Sequence, residues 1–148
     1  MSKATLTDAI QDYLKEIYKL QGEGDRVAVT ALAREQHVSP ASASAMVKKL
    51  AALDLVEHTP YRGVRLTAAG EQVAIEVIRH HRLVELYLAE TLGVDVDDVH
   101  DEADRLEHVL SEELEARIDR ALGFPTHDPH GDPIPDAELK WPQGAPGR

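Results

Sequence analysis

Asp104, Glu107 and His108 stand at i, i+3 and i+4 in the stretch HDEADRLEH that begins at His100. On an α-helix, Glu107 and His108 would fall within about 60° of Asp104, so all three share a face. Two carboxylates and an imidazole placed so can converge on one cation. His81 and Glu85 repeat the i, i+4 spacing on an earlier segment, and His100 could complete a second set. The donors are oxygen and nitrogen, and the chain has no cysteine. Such sets suit Mn2+, Fe2+, Co2+ or Zn2+, with carboxylate-rich ones leaning towards Mn2+ or Fe2+. Surface ion pairing is the competing reading, with Glu107 or Asp104 meeting Arg105 or Arg79. In a helix this acidic, spacing alone favours that blander outcome.

The other histidines offer less. His37 falls in a turn and His58 on a strand, both read as solvated. His80 points about 100° away from its neighbour His81. His127 and His130 lie in a proline-rich segment, where they could pair with Asp128 or Asp132 as structural groups. No HExxH, GxSxG or GxxxxGK[ST] pattern occurs, and no Ser/His/Asp arrangement can be picked out.

The elements that must position these residues come from periodicity and caps. Residues 7–20 read as a helix with Thr7 as N-cap. Thr30 can cap a short helix over 31–36. After the turn at His37 and Val38, Ser39 can cap a helix over 40–53, with Pro40 at its first position, where a missing N–H costs nothing. Two short helices joined by such a turn read as a helix-turn-helix. Residues 55–58 and 64–67 read as the strands of a wing around the turn sequence TPYRG. Thr67 then caps a long helix over about 68–92, followed by helices over about 96–109 and 112–122. The fold class is therefore mainly α: an N-terminal winged helix-turn-helix over 1–75, then an all-helical domain over 76–148 with a proline-rich C-terminal loop.

Charge separates the same two halves. Of the 148 residues, the first 75 carry nine basic and nine acidic side chains, so the whole net charge of −11 lies in the remainder. An acidic total is a poor start for nucleic-acid binding, where phosphate contacts supply most non-specific affinity. The neutral half nevertheless has a reader's parts. Ser39, Pro40, Ala41, Ser42, Ser44 and Ala45 give a small-residue helix start that fits a major groove, and Thr30, Lys48, Lys49, Arg62 and Arg65 can meet phosphates. Without Arg, Asn or Gln in the first two turns, shape readout should outweigh base readout. No apolar run approaches the ~20 residues of a membrane span. The start lacks a signal-peptide core, so a cytoplasmic protein without membrane contact is expected.

DAIQDYLKEIYKL at 8–20, YRGVRLT, RHHRLVELYL, VHDEADRLEHVLS and DPHGDPIP, as an ordered set over about residues 5–136, resemble the diphtheria-toxin-repressor family. The resemblance implies a metal-dependent transcriptional regulator, a homodimer on a palindromic double-stranded operator, activated by Mn2+ or Fe2+ with up to two divalent ions per subunit. It implies a primary site of Asp12, Asp104, Glu107 and His108, and a second site of His81, Glu85 and His100. Iron-responsive members place Met and Cys where Asp12 and Asp104 stand; the carboxylates match manganese-responsive members. Those members carry Glu where Lys15 stands, and the second set here follows the iron type. The sequence stops soon after the PIP motif, so the SH3-like third domain of longer members is expected to be absent. Two alternatives predict different features. A winged-helix sensor of an organic ligand needs an apolar pocket between the long helices, and a small metalloenzyme leaves the wing unexplained.

Overall fold

The structure, a computed structural model, describes residues 6–22 and 25–144. It forms two compact units, one ending at Ala74 and the other starting at Ile75, so the break lies inside a helix.

In the first unit, α1 (Asp8–Gln21) starts at Thr7, whose Oγ1 accepts from the Ile10 amide at 3.2 Å. That satisfies one of the amides a helix start leaves open. Ile10, Tyr13, Leu14, Ile17 and Tyr18 follow helical spacing and are buried, which gives α1 one core-facing stripe. Next come α2 (Val29–Glu35) and α3 (Pro40–Ala52), joined by a turn in which His37 adopts φ 57°. Ser39 caps α3 by accepting from the Ser42 amide at 3.1 Å. The cap expected at Thr30 does not form. Val27 exchanges both backbone hydrogen bonds with Val64, so the chain turns into α2 at once, with Ala28 in the N-cap position and no side-chain bond there.

The wing is an antiparallel pair, β1 (Val56–Thr59) and β2 (Gly63–Leu66), with Val56 opposite Leu66. Gly63 has φ 102°, and a Cβ there would stand 2.4 Å from the Val27 carbonyl oxygen. Only glycine fits that close crossing. Gln21, at the end of α1, accepts from the Leu66 amide at 2.9 Å and so ties the first helix to the wing. Thr67 Oγ1 caps the long helix α4 (Ala68–Glu90) through the Gly70 amide at 3.1 Å.

The second unit holds the rest of α4, then α5 (Val99–Leu106), α6 (Glu112–Ala121) and an irregular tail. Val84 and Leu88 of α4 pack on Val99 and Ala103 of α5. On another part of α4, Leu83 and Leu86 meet Ile134 of the tail. The helix expected over 96–109 is shorter. The Asp95 carboxylate takes the Asp97 amide at 2.9 Å, a local turn that competes with the helix. At the other end the Glu107 amide still reaches the Ala103 carbonyl at 2.9 Å, so Glu107 and His108 continue the helical path as a turn. Asp128 organises the tail by accepting from the amides of His130 and Asp132, each at 2.9 Å.

Candidate metal centre

Within the second unit, α4 and α5 bring their predicted ligands face to face. His81 Nε2 lies 3.1 Å from His100 Nδ1 and 3.2 Å from Glu85 Oε2, and the last two atoms are 3.4 Å apart. Ligands bonded at ~2.1 Å to one ion, at 90–109°, stand about 3.0–3.4 Å from each other. The opposite nitrogen, His81 Nδ1, is 2.6 Å from Glu107 Oε2 and 3.3 Å from Asp104 Oδ1. His100 Nε2 is 3.5 Å from Asp104 Oδ2, and His108 Nε2 is 3.4 Å from Glu107 Oε1. Glu85, Glu107 and His81 are buried, whereas side chains of His100 and Asp104 are about half exposed and form the solvent side.

Proton accounting shows what the cluster accepts. A carboxylate only accepts, so a proton on His81 Nδ1 serves Glu107 and one on Nε2 serves Glu85; a bound cation would replace the second proton and take the Nε2 lone pair. Glu85 Oε2 is buried. Histidine ligands characteristically donate their second ring N–H to a carboxylate. His81 does so to Glu107, and His100 Nε2 faces Asp104 in the same sense. A buried carboxylate oxygen beside converging ring nitrogens fits a divalent cation.

A second cluster on Glu85 was not anticipated. Glu85, Asp128 and His130 each offer one ligand atom within 4.8 Å of the others, and His130 Nδ1 is 3.6 Å from Glu85 Oε1. Burial opposes charge on Glu85, but the His81 ring ion-paired to it at 3.2 Å, with help from Asp128 and His130, holds its carboxyl down at about 2. Burial pushes the Asp128 carboxyl up; the Asp132 and Glu85 charges add to this, while amide hydrogen bonds oppose it. Asp128 and His130 are 43 and 45 positions beyond Glu85. Only the repeated Asp/His content of DPHGDP hinted at them, and a tail without helical period gave no way to place them.

The ion pairs expected to compete with metal lie elsewhere. Arg79 binds Glu115 at 2.5 Å and Asp119 at 3.1 Å, and Arg105 binds Glu102 at 2.6 Å. His80 is fully buried, with Nε2 paired to Glu115 and Nδ1 3.3 Å from the Glu107 carbonyl oxygen. Burial opposes charge on Glu115, yet hydrogen bonds and charge from His80 and Arg79 hold its carboxyl below the ordinary range. A cavity of about 320 Å³ in this unit is lined by Arg79, Asp119, Phe124, Lys140 and Trp141. Ile134, Pro125 and Pro142 join that lining, so it is mixed, and most of it comes from the tail rather than from between long helices.

In the first unit, Asp12 lies on α1, half-buried. On α3, Ala43, Val47 and Leu50 face the core, while Ser39, Pro40, Ala41, Ser42, Ala45, Lys48 and Lys49 are exposed and Ser44 is partly so. Ser39 Oγ also donates to Ser42 Oγ at 3.0 Å. Arg62 is exposed in the turn between β1 and β2, beside the fully exposed Tyr61. Arg65 is exposed but paired across the wing with Glu57 at 3.0 Å. Thr30 is exposed in the first turn of α2.

Residues 5–64 match the model of the iron-dependent repressor N-terminal DNA-binding domain, and residues 67–136 match that of the iron-dependent repressor metal-binding and dimerisation domain. The diphtheria toxin repressor of Corynebacterium efficiens is 38% identical over 130 residues, 88% of this chain and 56% of that protein. The chain thus spans a little over half the length of that relative. A helix-turn-helix transcriptional regulator of Methanocaldococcus jannaschii is 35% identical over 114 residues, 76% of this chain and 91% of that protein. Among solved structures, a manganese-dependent transcriptional repressor in complex with manganese superposes with a TM-score of 0.83 and 47% identity. That match covers 90% of this chain and 62% of the other.

Proposed function

Because the chain belongs to the diphtheria-toxin-repressor family of iron-dependent repressors, we propose that it is a metal-activated DNA-binding regulator. In this reading it is a homodimer that represses metal-uptake genes in the cytoplasm when Mn2+ or Fe2+ is bound, and it has no enzymatic activity. The observation that carries the reading is the convergence of His81 Nε2 and His100 Nδ1 on the buried Glu85 Oε2.

Each subunit takes up to two ions. Asp12, Asp104, Glu107 and His108 hold one; His81, Glu85 and His100 hold the other, with Asp128 and His130 available to complete its shell. Bound metal supplies positive charge that offsets the carboxylates. Without it, Asp12, Asp104 and Glu107 repel one another. Asp12 is carried by α1, whose end holds the wing through Gln21, so fixing Asp12 fixes the helix that braces the reading head. Ser39, Pro40, Ala41, Ser42, Ser44 and Ala45 then enter a major groove, and Thr30, Lys48, Lys49, Arg62 and Arg65 meet phosphates. Exposed Leu92, Leu106 and Val109 supply apolar surface for a second copy to cover. A two-fold dimer matches a palindrome by symmetry. Metal and operator become reciprocally coupled ligands, with coupling of about 1–3 kcal/mol.

The test is binding of the full chain to a pool of genomic fragments with Mn2+, Fe2+, Zn2+ or chelator in parallel. Selective retention of a few fragments with Mn2+ or Fe2+, lost on chelation, is the expected result. Equal retention in chelator would contradict metal activation.

A further inference from the structure

Most of the buried polar groups of the second unit belong to the proposed ligand sets or to the tail, but His80 belongs to neither. It is fully buried, one residue from His81, and on a different face of α4. Its Nδ1 donates to the backbone carbonyl of Glu107 at 3.3 Å, and its Nε2 pairs with the Glu115 carboxylate. Glu107 is the C-cap residue of α5, where helix carbonyls lose their intrahelical partners. Glu115 also receives Arg79 Nε at 2.5 Å, and Arg79 donates to Asp119 at 3.1 Å and to the Pro135 carbonyl at 2.9 Å.

We propose that His80 is a positioning residue for metal binding: it holds the backbone of Glu107 from α4, and Glu115 on α6 holds His80 in turn. The proposal rests on the metal reading above. A ligand side chain is only as well placed as its backbone, and Glu107 is followed directly by His108. A shift of the Glu107 carbonyl therefore moves two ligands together. Losing a group that orients ligands typically costs 10–100-fold in metal affinity.

Two half-replacements of the imidazole separate positioning from plain stability. In His80→Asn the amide nitrogen replaces Nδ1 and keeps a donor for the Glu107 carbonyl. In His80→Gln it reaches towards Nε2 and keeps the Glu115 contact instead. The experiment measures Mn2+ affinity by calorimetry and urea stability of the metal-free full chain for both variants. His80→Asn should bind Mn2+ within about threefold of the unsubstituted chain, and His80→Gln about tenfold or more weakly. Glu115→Gln supplies a further arm, because it keeps an acceptor for His80 but removes the charge facing Arg79. Its stability should fall while its Mn2+ affinity stays within about threefold. Unchanged binding by His80→Gln, or losses of affinity that simply track urea stability across the three variants, would overturn the proposal. No Mn2+ uptake by the unsubstituted chain would overturn the metal reading itself.

Discussion

His81 Nδ1 stands 2.6 Å from Oε2 of Glu107, a residue 26 positions later at the end of another helix. The same ring presents Nε2 to Glu85 and His100. One imidazole thus serves as a donor to one proposed ligand set and as a lone-pair ligand in the other. His81→Ala should remove one ion and weaken the remaining site by about 10–100-fold. Calorimetric titration with Mn2+ checks this, and an unchanged two-ion isotherm would contradict the dual role.

His130→Ala and Asp128→Asn act on one side of that arrangement only. Both residues sit against Glu85, so each should weaken uptake of the second ion and leave the first within about twofold. Titrations of the two variants, compared with His81→Ala, resolve the difference. Equal weakening of both ions would contradict a role for Asp128 and His130 confined to the Glu85 ion.

Asp12→Ala should abolish metal-dependent DNA retention while the circular dichroism melt stays within about 2 °C of the unsubstituted chain. Substitutions away from packed cores and buried networks usually change stability by about 0.5 kcal/mol or less. Retention that still responds to Mn2+ would remove Asp12 from the metal site.

Much of this was legible in the sequence because helices announce themselves by period and cap. Thr7, Ser39 and Thr67 each cap the helix predicted for them, and Ser111 caps α6 in the same way. The His81–Glu85 pair was read from spacing, since both lie on one long helix. His100 is a candidate third member on its residue type, and the family resemblance assigns it to the set. Three features escaped. Thr30 lost its capping role because the Val27–Val64 bridge, a contact between distant segments, starts α2 earlier. Asp128 and His130 sit in a tail whose path is set by Asx turns and by packing of Ile134 on α4, neither of which has a period to read. The helical period turns His80 away from His81. That direction is correct, and it leads to Glu115 and the Glu107 carbonyl.

Arg62 is exposed in the wing turn, whereas Arg65 is engaged by Glu57. Arg62→Ala should therefore lower affinity for all DNA sequences and reduce the slope of log K against log salt by about 1. Anisotropy titrations at several salt concentrations measure both. A loss confined to one sequence would mean that Arg62 reads bases.

Glu115 links acid stability to the buried network. Its carboxyl lies below the ordinary 4.5 in the folded protein, because His80 and Arg79 outweigh the burial that opposes its charge. A depressed carboxyl contributes stability above its unfolded value and loses it as pH falls through the folded value. Glu115→Gln should cost about 2 kcal/mol at pH 7, and the gap should narrow as pH drops below about 4.5. Urea unfolding of the metal-free protein at pH 7, 5 and 3.5 reads this directly. A gap that widens towards acid pH would contradict the assignment.

The central claim, that metal is shared between the DNA-reading unit and the acidic helical unit, is met most directly by anomalous diffraction from crystals grown with Mn2+. The account predicts a manganese peak bonded by Asp12, Asp104, Glu107 and His108, with a second peak at His81, Glu85 and His100. A map with Asp12 bonded to no metal, whatever ions the acidic unit holds, would contradict it.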